Sequence, residues 1–376
     1  MRVLQAFKVY VPHRGGIVST IRTLCEGLQD RAQMRVLASF PRGAGRHETI
    51  HGVEVTRTAS LGELLAMPIA PTYPFQFWRA ARQVDVVGYH FPFPLVDLAV
   101  SFHFPVHVGL VIHWHSEIVS QRRIGQLFAP LIRRCLSRAD RIVVSTPHHL
   151  QVSRYLCKMA DKCTVIPFGI DVGHWQRLDD DEQREIDRVK TKYNGFILTV
   201  GRLVPYKGLD VLIRAMPQTP ARLVIVGDGP LRQDLLRLAV ELGLADRVRF
   251  TGDIDFQQLK ALMHACRFFV LPSAAANETF GIVQLEAMAC GKAIINTDAH
   301  PGIGWVARHG QEALTVRARD SQVLASAIER LYEQPEEAIR LGMQGRVRVG
   351  EVFTLERFFE KTLAVYQAAA RARSER

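Results

Sequence analysis

Glu278 and Glu286 flank the start of an apolar run in residues 277–291, Asn-Glu-Thr-Phe-Gly-Ile-Val-Gln-Leu-Glu-Ala-Met-Ala-Cys-Gly. The pattern reads as a helix N-terminus with one carboxylate just ahead of the helix and one inside it. Phe280, Gly281, Ile282 and Val283 then lie where backbone N–H groups have no partner within the helix, so they can receive an anion. Carboxylates accept hydrogen bonds from sugar and ribose hydroxyls, whereas amides suit phosphate. The stretch therefore predicts a site for a phosphorylated, hydroxyl-rich ligand.

Other segments could supply the rest of such a site. Residues 200–208, Val-Gly-Arg-Leu-Val-Pro-Tyr-Lys-Gly, follow a strand pattern and bring Arg202 and Lys207 within reach of one anion. Two cations there would stabilise a bound diphosphate and the charge that grows as it departs; a solvated basic loop is the alternative. Gly15 and Gly16, after Arg14, lie between a strand and a helix, either as a tight turn or as a close approach of backbone to ligand. No G-x-G-x-x-G fingerprint occurs at that turn, which argues against a nicotinamide enzyme. His113 and His115, in His-Trp-His-Ser-Glu ending at Glu117, follow an apolar strand and would share one face if it continued. They read as histidines in a polar crevice, or as metal ligands lacking a third partner.

Several features have simpler readings. Gly227 and Gly229 in Val-Gly-Asp-Gly-Pro suit a turn. Asp255 suits a helix cap, and the run Asp179-Asp180-Asp181-Glu182 suits a helix start rather than a metal site. Residues 122–134 mix arginines with large apolar groups around Pro130, as either a membrane-surface segment or an ordinary covering helix.

Positioning these groups requires a particular kind of framework. Short β-rich runs at residues 3–7, 35–40, 53–58, 84–89, 107–113, 141–145 and 163–167 alternate with longer amphipathic ones. The theme resumes at residues 195–200, 222–226, 248–250, 268–271 and 293–296, separated by helical stretches such as 230–242 and 256–265. Alternation of this kind signals βαβ units and mainly parallel sheets. At 376 residues and 48% apolar composition the chain exceeds one core, so it predicts two α/β doubly wound domains. The join is placed near residue 170, giving domains 1–170 and 171–354, with an amphipathic helix at 355–376 that either caps the second or returns to the first.

The net charge of +11 is concentrated in the first domain, where residues 1–170 carry 20 Lys/Arg against 10 Asp/Glu. Such a surface attracts nucleic acid, anionic lipid or a diphosphate-bearing substrate alike. The six cysteines form no C-x-x-C pair, which predicts thiols in a reducing compartment. The N-terminus has no secretory h-region. The apolar segment 91–114 is interrupted by prolines, histidines and Asp97, so it reads as buried strand and helix rather than a membrane span.

Together these motifs resemble the retaining family-four glycosyltransferases. The resemblance is strongest from residue 165 to 297. It rests on Ile166-Pro167-Phe168-Gly169-Ile170-Asp171, Gly201-Arg202 with Lys207-Gly208, Gly227-Asp228-Gly229-Pro230, and the E-x7-E pair of Glu278 and Glu286. Phe168 stands where the family commonly has Asn, and residues 301–305 follow the usual loop only loosely. The resemblance implies the GT-B fold, two Rossmann-like domains facing across a cleft. It implies that Arg202 and Lys207 hold a donor diphosphate, that Glu286 binds ribose, and that Glu278 contacts the transferred sugar. Backbone at Phe280, Gly281, Ile282 and Val283 would meet phosphate or sugar. Gly15 and Gly16 would approach the diphosphate, and His115, rather than His113, would be the active-site histidine.

The implied reaction is a same-face substitution without bound metal or other cofactor, in which the departing phosphate helps remove the acceptor proton. A two-carboxylate glycosidase would need both acids at the sugar carbon. The segment Trp114-His115-Ser116-Glu117 looks most like bacterial mannosyl- and rhamnosyltransferases of O-antigen or related polysaccharide synthesis. This implies a GDP-sugar donor, a lipid-linked or oligosaccharide acceptor, no nucleic acid, and a cytoplasmic location that allows peripheral contact with the membrane. A UDP-sugar-dependent transferase, a nucleotide-sugar epimerase of the same architecture, and a catalytically silent carbohydrate-binding protein are the competing readings.

Overall fold

The computed structural model describes residues 1–13, 15–64, 67–116 and 122–375, with residues 122–127 described by backbone alone. It divides into two compact units, Met1–Phe168 with Glu356–Arg376, and Gly169–Leu355.

In the first unit an eight-stranded sheet runs in the order Cys163–Val165, Arg141–Val144, Gly109–Trp114, Val86–Phe91, Arg2–Ala6, Gln33–Ser39, Val53–Thr58, Arg46–Ile50. Every pairing is parallel except the last. Val86–Phe91 and Gly109–Trp114 are buried along their whole length, as parallel strands covered on both faces must be. Helix Gly16–Leu28 turns Val18, Ile21, Leu24, Cys25 and Leu28 inward, a helical stripe against the sheet. The segment 91–114 forms the expected strand, helix Pro94–Phe102 and strand. The helix Arg122–Arg138 continues past Pro130, which lies inside it.

The last helix, Leu355–Ser374, returns to this unit. It buries Phe358, Thr362, Val365, Tyr366 and Ala369 on one face, and Ala369 backbone comes so close to Gly109 that a Cβ there would sit 2.9 Å from it.

The second unit is a six-stranded, wholly parallel sheet. Its order is Val248–Gly252, Arg222–Val226, Phe196–Val200, Phe269–Leu271, Ile294–Thr297, Ala313–Val316. Counted along the chain this is 3-2-1-4-5-6, the Rossmann order. Local helix-start signals behave as their chemistry dictates. Asp179 and Glu182 form a reciprocal capping box on helix Asp180–Tyr193, and Asp255 accepts the Gln258 N–H at 2.8 Å to cap Phe256–Ala265.

Four strands go beyond the sequence expectation: the two-residue antiparallel pair Glu63–Leu64 and Met67–Pro68, and two edge strands. Arg46–Ile50 is an antiparallel edge strand whose residues are exposed or half-buried, so it carries no apolar alternation. Ala313–Val316 is a four-residue edge strand, too short for a periodic signal. All six cysteines are free thiols.

Candidate functional site

In a sheet of order 3-2-1-4-5-6 the chain reverses direction between the first and fourth strands, opening a crevice beyond their carboxyl ends. Here those strands are Phe196–Val200 and Phe269–Leu271. The first runs directly into Gly201, Arg202 and the single turn Pro205–Lys207; the second runs into the loop that carries Glu278. Topology thus brings together residues 71 positions apart: Lys207 Nζ donates to Glu278 Oε2 in an ion pair. The Ala274 N–H also donates to the Tyr206 carbonyl at 2.8 Å, fastening one loop to the other.

Each side chain of the pair is only 14% exposed. Desolvation pulls the Lys207 ammonium down, but the Glu278 charge, Tyr206 and the Glu278 hydrogen bond outweigh it and hold the ammonium above its ordinary value. Arg202 is exposed on the same loop. Gly227 lies where a Cβ would be 2.3 Å from the Gly201 carbonyl, so it lets two turns meet, as expected of it.

Gly281 precedes helix Ile282–Ala289 with φ +72°, in the left-handed region that glycine favours, and supplies no side-chain cap. The turn is held from beneath by buried amides. Gln284 Nε2 donates to the Phe280 carbonyl at 2.9 Å, and Asn296 Nδ2 donates to Gln284 Oε1 at 2.9 Å and to the Ala307 carbonyl at 3.0 Å. Phe280 itself is 2% exposed and packs edge-on against Phe353, so its side chain belongs to the core and only its backbone is available to a ligand. Ile282 and Val283 are half-buried on the first turn. Glu286, one turn further on, keeps some accessible surface, yet desolvation pushes its carboxyl up to about 7.

The first unit also has a reversal point, between Arg2–Ala6 and Val86–Phe91. Gly15 lies after the former and begins helix Gly16–Leu28, accepting the Ser19 N–H at 2.9 Å. Among the described residues, no atom lies within 4 Å of where a Cβ on Gly15 or Gly16 would sit. Packing therefore does not demand this glycine pair. The segment ahead of it is anchored by Arg57, 3% exposed, which donates to the Val11 carbonyl and to Glu48. Arg14 lies outside the described residues, as does Glu117.

His115 follows strand Gly109–Trp114 and joins a buried polar group. His90 Nδ1 is 2.8 Å from His115 Nε2, and His90 Nε2 is 2.8 Å from Gln5 Oε1. Gln5 Nε2 donates to the Tyr366 hydroxyl at 3.0 Å, which lies 2.7 Å from His113 Nε2. The His90 ring stacks on His113 and His115 with centroids 4.6 and 5.1 Å apart. Desolvation lowers all three imidazoles, His113 to about 3 and His90 and His115 well below their ordinary value, so all are neutral. His115 also stacks on Phe168, at 5.8 Å, which gives Phe168 a partner for its ring. His90, Gln5 and Tyr366 were missed from the sequence. A signal existed for two of them: Gln5 and His90 are polar residues inside otherwise buried strands.

Among the described residues no group of three His, Cys, Asp or Glu side chains is arranged to hold a metal ion, and no helix is long and apolar enough to cross a membrane. Of the basic segment at 122–134, the side chains up to residue 127 lie outside the described residues.

Comparison with known proteins fits this geometry. Residues 179–348 match the family model described as glycosyl transferases group 1, and residues 14–174 match glycosyltransferase family 4. The chain is 31% identical to the O-antigen chain mannosyltransferase C of Escherichia coli, covering 100% of both chains. It is 33% identical to the D-rhamnosyltransferase WbpZ of Pseudomonas aeruginosa, over 94% of this chain and 92% of that one. Among solved structures, sucrose-phosphate synthase from Thermosynechococcus elongatus superposes with a TM-score of 0.82 at 22% identity, covering 99% of each chain. Anabaena HepE in complex with UDP-glucose gives 0.77 at 21%, covering 100% of each; both show likeness of fold. With two Rossmann-like units and full-length relatives above 30% identity, the chain belongs to the family-four glycosyltransferases of GT-B fold and is a hexosyltransferase.

Proposed function

We propose that the protein moves a mannose-like or 6-deoxyhexose unit from a GDP-sugar, with retention, to a lipid-linked saccharide in O-antigen or related polysaccharide synthesis. The observation that carries this reading is the Lys207–Glu278 pair at the reversal point of the second sheet, with Glu286 on the adjoining helix. A cation, two carboxylates and a helix N-terminus at such a crevice match the parts of a sugar nucleotide. In this reading residues 171–354 form the donor-binding domain and residues 1–170 the acceptor-side domain, to which the helix at 355–376 returns.

Lys207 and Arg202 take the diphosphate, and backbone at 280–283 meets phosphate or sugar. Glu278 takes hydroxyls of the sugar, Glu286 those of the ribose, and His115 acts beside the transferred unit. Gly15 and Gly16 approach the diphosphate through their backbone, a role supported by the absence of any described atom within 4 Å of a Cβ at either. The bond between the sugar carbon and the diphosphate oxygen breaks as charge on the leaving group is met by the two cations. The acceptor hydroxyl attacks from the same face, and its proton passes to the departing phosphate oxygen. No metal or cofactor enters this scheme.

The guanine base is favoured by likeness to the mannosyl- and rhamnosyltransferases. A further relative, 27% identical over 90% of this chain and 91% of its own, is a GDP-mannose-dependent mannosyltransferase of Mycolicibacterium smegmatis. Thermal shift with GDP, UDP and ADP should show the largest stabilisation with GDP; a larger shift with UDP would replace the base. Mass spectrometry of donor incubated with and without lipid extract should show a larger glycoside only with acceptor. Donor altered without acceptor would indicate an epimerase, and no turnover across a donor panel a silent binding protein.

Peripheral contact with the inner face of the membrane fits the charge excess of residues 1–170 and the exposed Phe75, Phe102 and Val106 of the first unit. Vesicle co-sedimentation indifferent to salt and anionic lipid content would remove the membrane role.

A further inference from the structure

We infer that Tyr366, Gln5 and His90 form a directional hydrogen-bond relay that fixes the tautomer of His115, with its proton on Nε2. The placement of donors and acceptors leads to this step by step. Gln5 Nε2 can only donate, and it meets the Tyr366 hydroxyl at 3.0 Å, while the Gln5 carbonyl lies farther from that hydroxyl, at 3.3 Å. The Gln5 carbonyl therefore faces His90, and at 2.8 Å it can only accept, so His90 carries its proton on Nε2. A neutral His90 then has a lone pair on Nδ1. His115 Nε2, 2.8 Å away, must supply the proton of that bond.

At the far end Tyr366 oxygen, having accepted from Gln5, donates to His113 Nε2 at 2.7 Å, which places the His113 proton on Nδ1. Neutrality is required throughout, and burial provides it: Gln5 and His90 are 0% exposed, Tyr366 0%, His113 4% and His115 7%. The His115 ring then carries its lone pair on Nδ1, so that nitrogen is an acceptor rather than a donor. The last helix, which contributes Tyr366, thus sets the hydrogen-bonding sense of His115 through Gln5 and His90, on the two successive strands beside Gly109–Trp114.

These three are positioning residues, and their effect on catalysis rests on the reading of His115 given above. The relay itself does not, and ring-nitrogen NMR of the full-length protein labelled with ¹⁵N-histidine tests it without substrate. The His115 signals are assigned by their loss in His115→Gln. The wild type should show a protonated Nε2 and a lone-pair Nδ1 for His115; a protonated Nδ1, as a reversed Gln5 amide would impose, overturns the relay.

In Tyr366→Phe the Gln5 amide loses its acceptor and can turn, so the His115 shifts should move toward an average of both tautomers. Its kcat should fall about five-fold, the effect of one hydrogen bond, with donor KM unchanged. Gln5→Met should give the same averaging. If both variants keep the wild-type His115 shifts, the relay is overturned. If either variant does not fold, the wild-type spectrum decides alone. Inactivity toward every donor with the Nε2–H tautomer present would refute the site reading and leave the relay standing.

Discussion

Lys207 and Glu278 are each 14% exposed, and the Glu278 carboxylate keeps the Lys207 ammonium charged against the pull of desolvation. In the absence of ligand each serves as the other's partner. A diphosphate arriving at Lys207 would compete for that ammonium and leave lone pairs of the Glu278 carboxylate for sugar hydroxyls, with Arg202 offsetting part of the added negative charge. Lys207→Met should weaken donor binding in calorimetry by at least about ten-fold, the scale of a charge-assisted contact. His115→Ala should instead lower kcat while leaving donor affinity near wild type. Equal affinity in both variants and the wild type would contradict the assignment.

Glu286 gives a separate test through pH. Its carboxyl is raised to about 7 by desolvation, so the folded protein holds that proton more tightly than the unfolded chain does. The associated stability is present below the ordinary carboxyl range and is lost as pH rises through about 7. A ribose whose hydroxyls donate to the carboxylate has the opposite preference. Donor affinity in the wild type should therefore fall as pH drops from 8 to 6, while Glu286→Gln should bind weakly with little pH dependence over that range. A flat wild-type profile would mean that Glu286 does not accept from the ligand as a carboxylate.

At the level of elements, the helix Ile282–Ala289 is aimed by Gly281. A Cβ on Gly281 would lie 2.7 Å from Leu271 Cδ2, and alanine resists its left-handed φ of +72°. Gly281→Ala should destabilise the fold by about 1–3 kcal/mol in urea titration. It should also weaken donor binding, because the first turn must move; unchanged affinity would detach that turn from the site. What the sequence made legible follows the range of each interaction. Asp179 and Asp255 announce their helices within three residues, and the parallel strands announce themselves by continuous burial. The candidate site residues Arg202, Lys207 and Glu278 were legible because they sit at motif spacings in loops that must follow strands, and Glu286 because it falls eight positions after Glu278 on the adjoining helix. Their pairing was not, since Lys207 meets Glu278 only through the strand order. His90 escaped notice for the same reason: its neighbours Gln5 and His115 lie on strands to either side of it.

At the scale of the whole chain, the first unit is discontinuous, closed by a helix made only after the second unit is complete. Phe358, Val365 and Tyr366 are each at most 9% exposed against its core. Burying three such side chains contributes on the order of 5 kcal/mol or more, comparable with the entire stability of an ordinary domain. Tyr366 adds its hydrogen bonds to Gln5 and His113, and Ala369 adds its close packing on Gly109. A chain ending at Leu355 should thus keep a folded second unit and lose the first. Hydrogen exchange read by mass spectrometry should show protection retained in residues 169–355 and lost in 1–168. Protection persisting in both would mean that the sheet of the first unit is stable on its own, and that the returning helix serves to place Tyr366 rather than to complete a core.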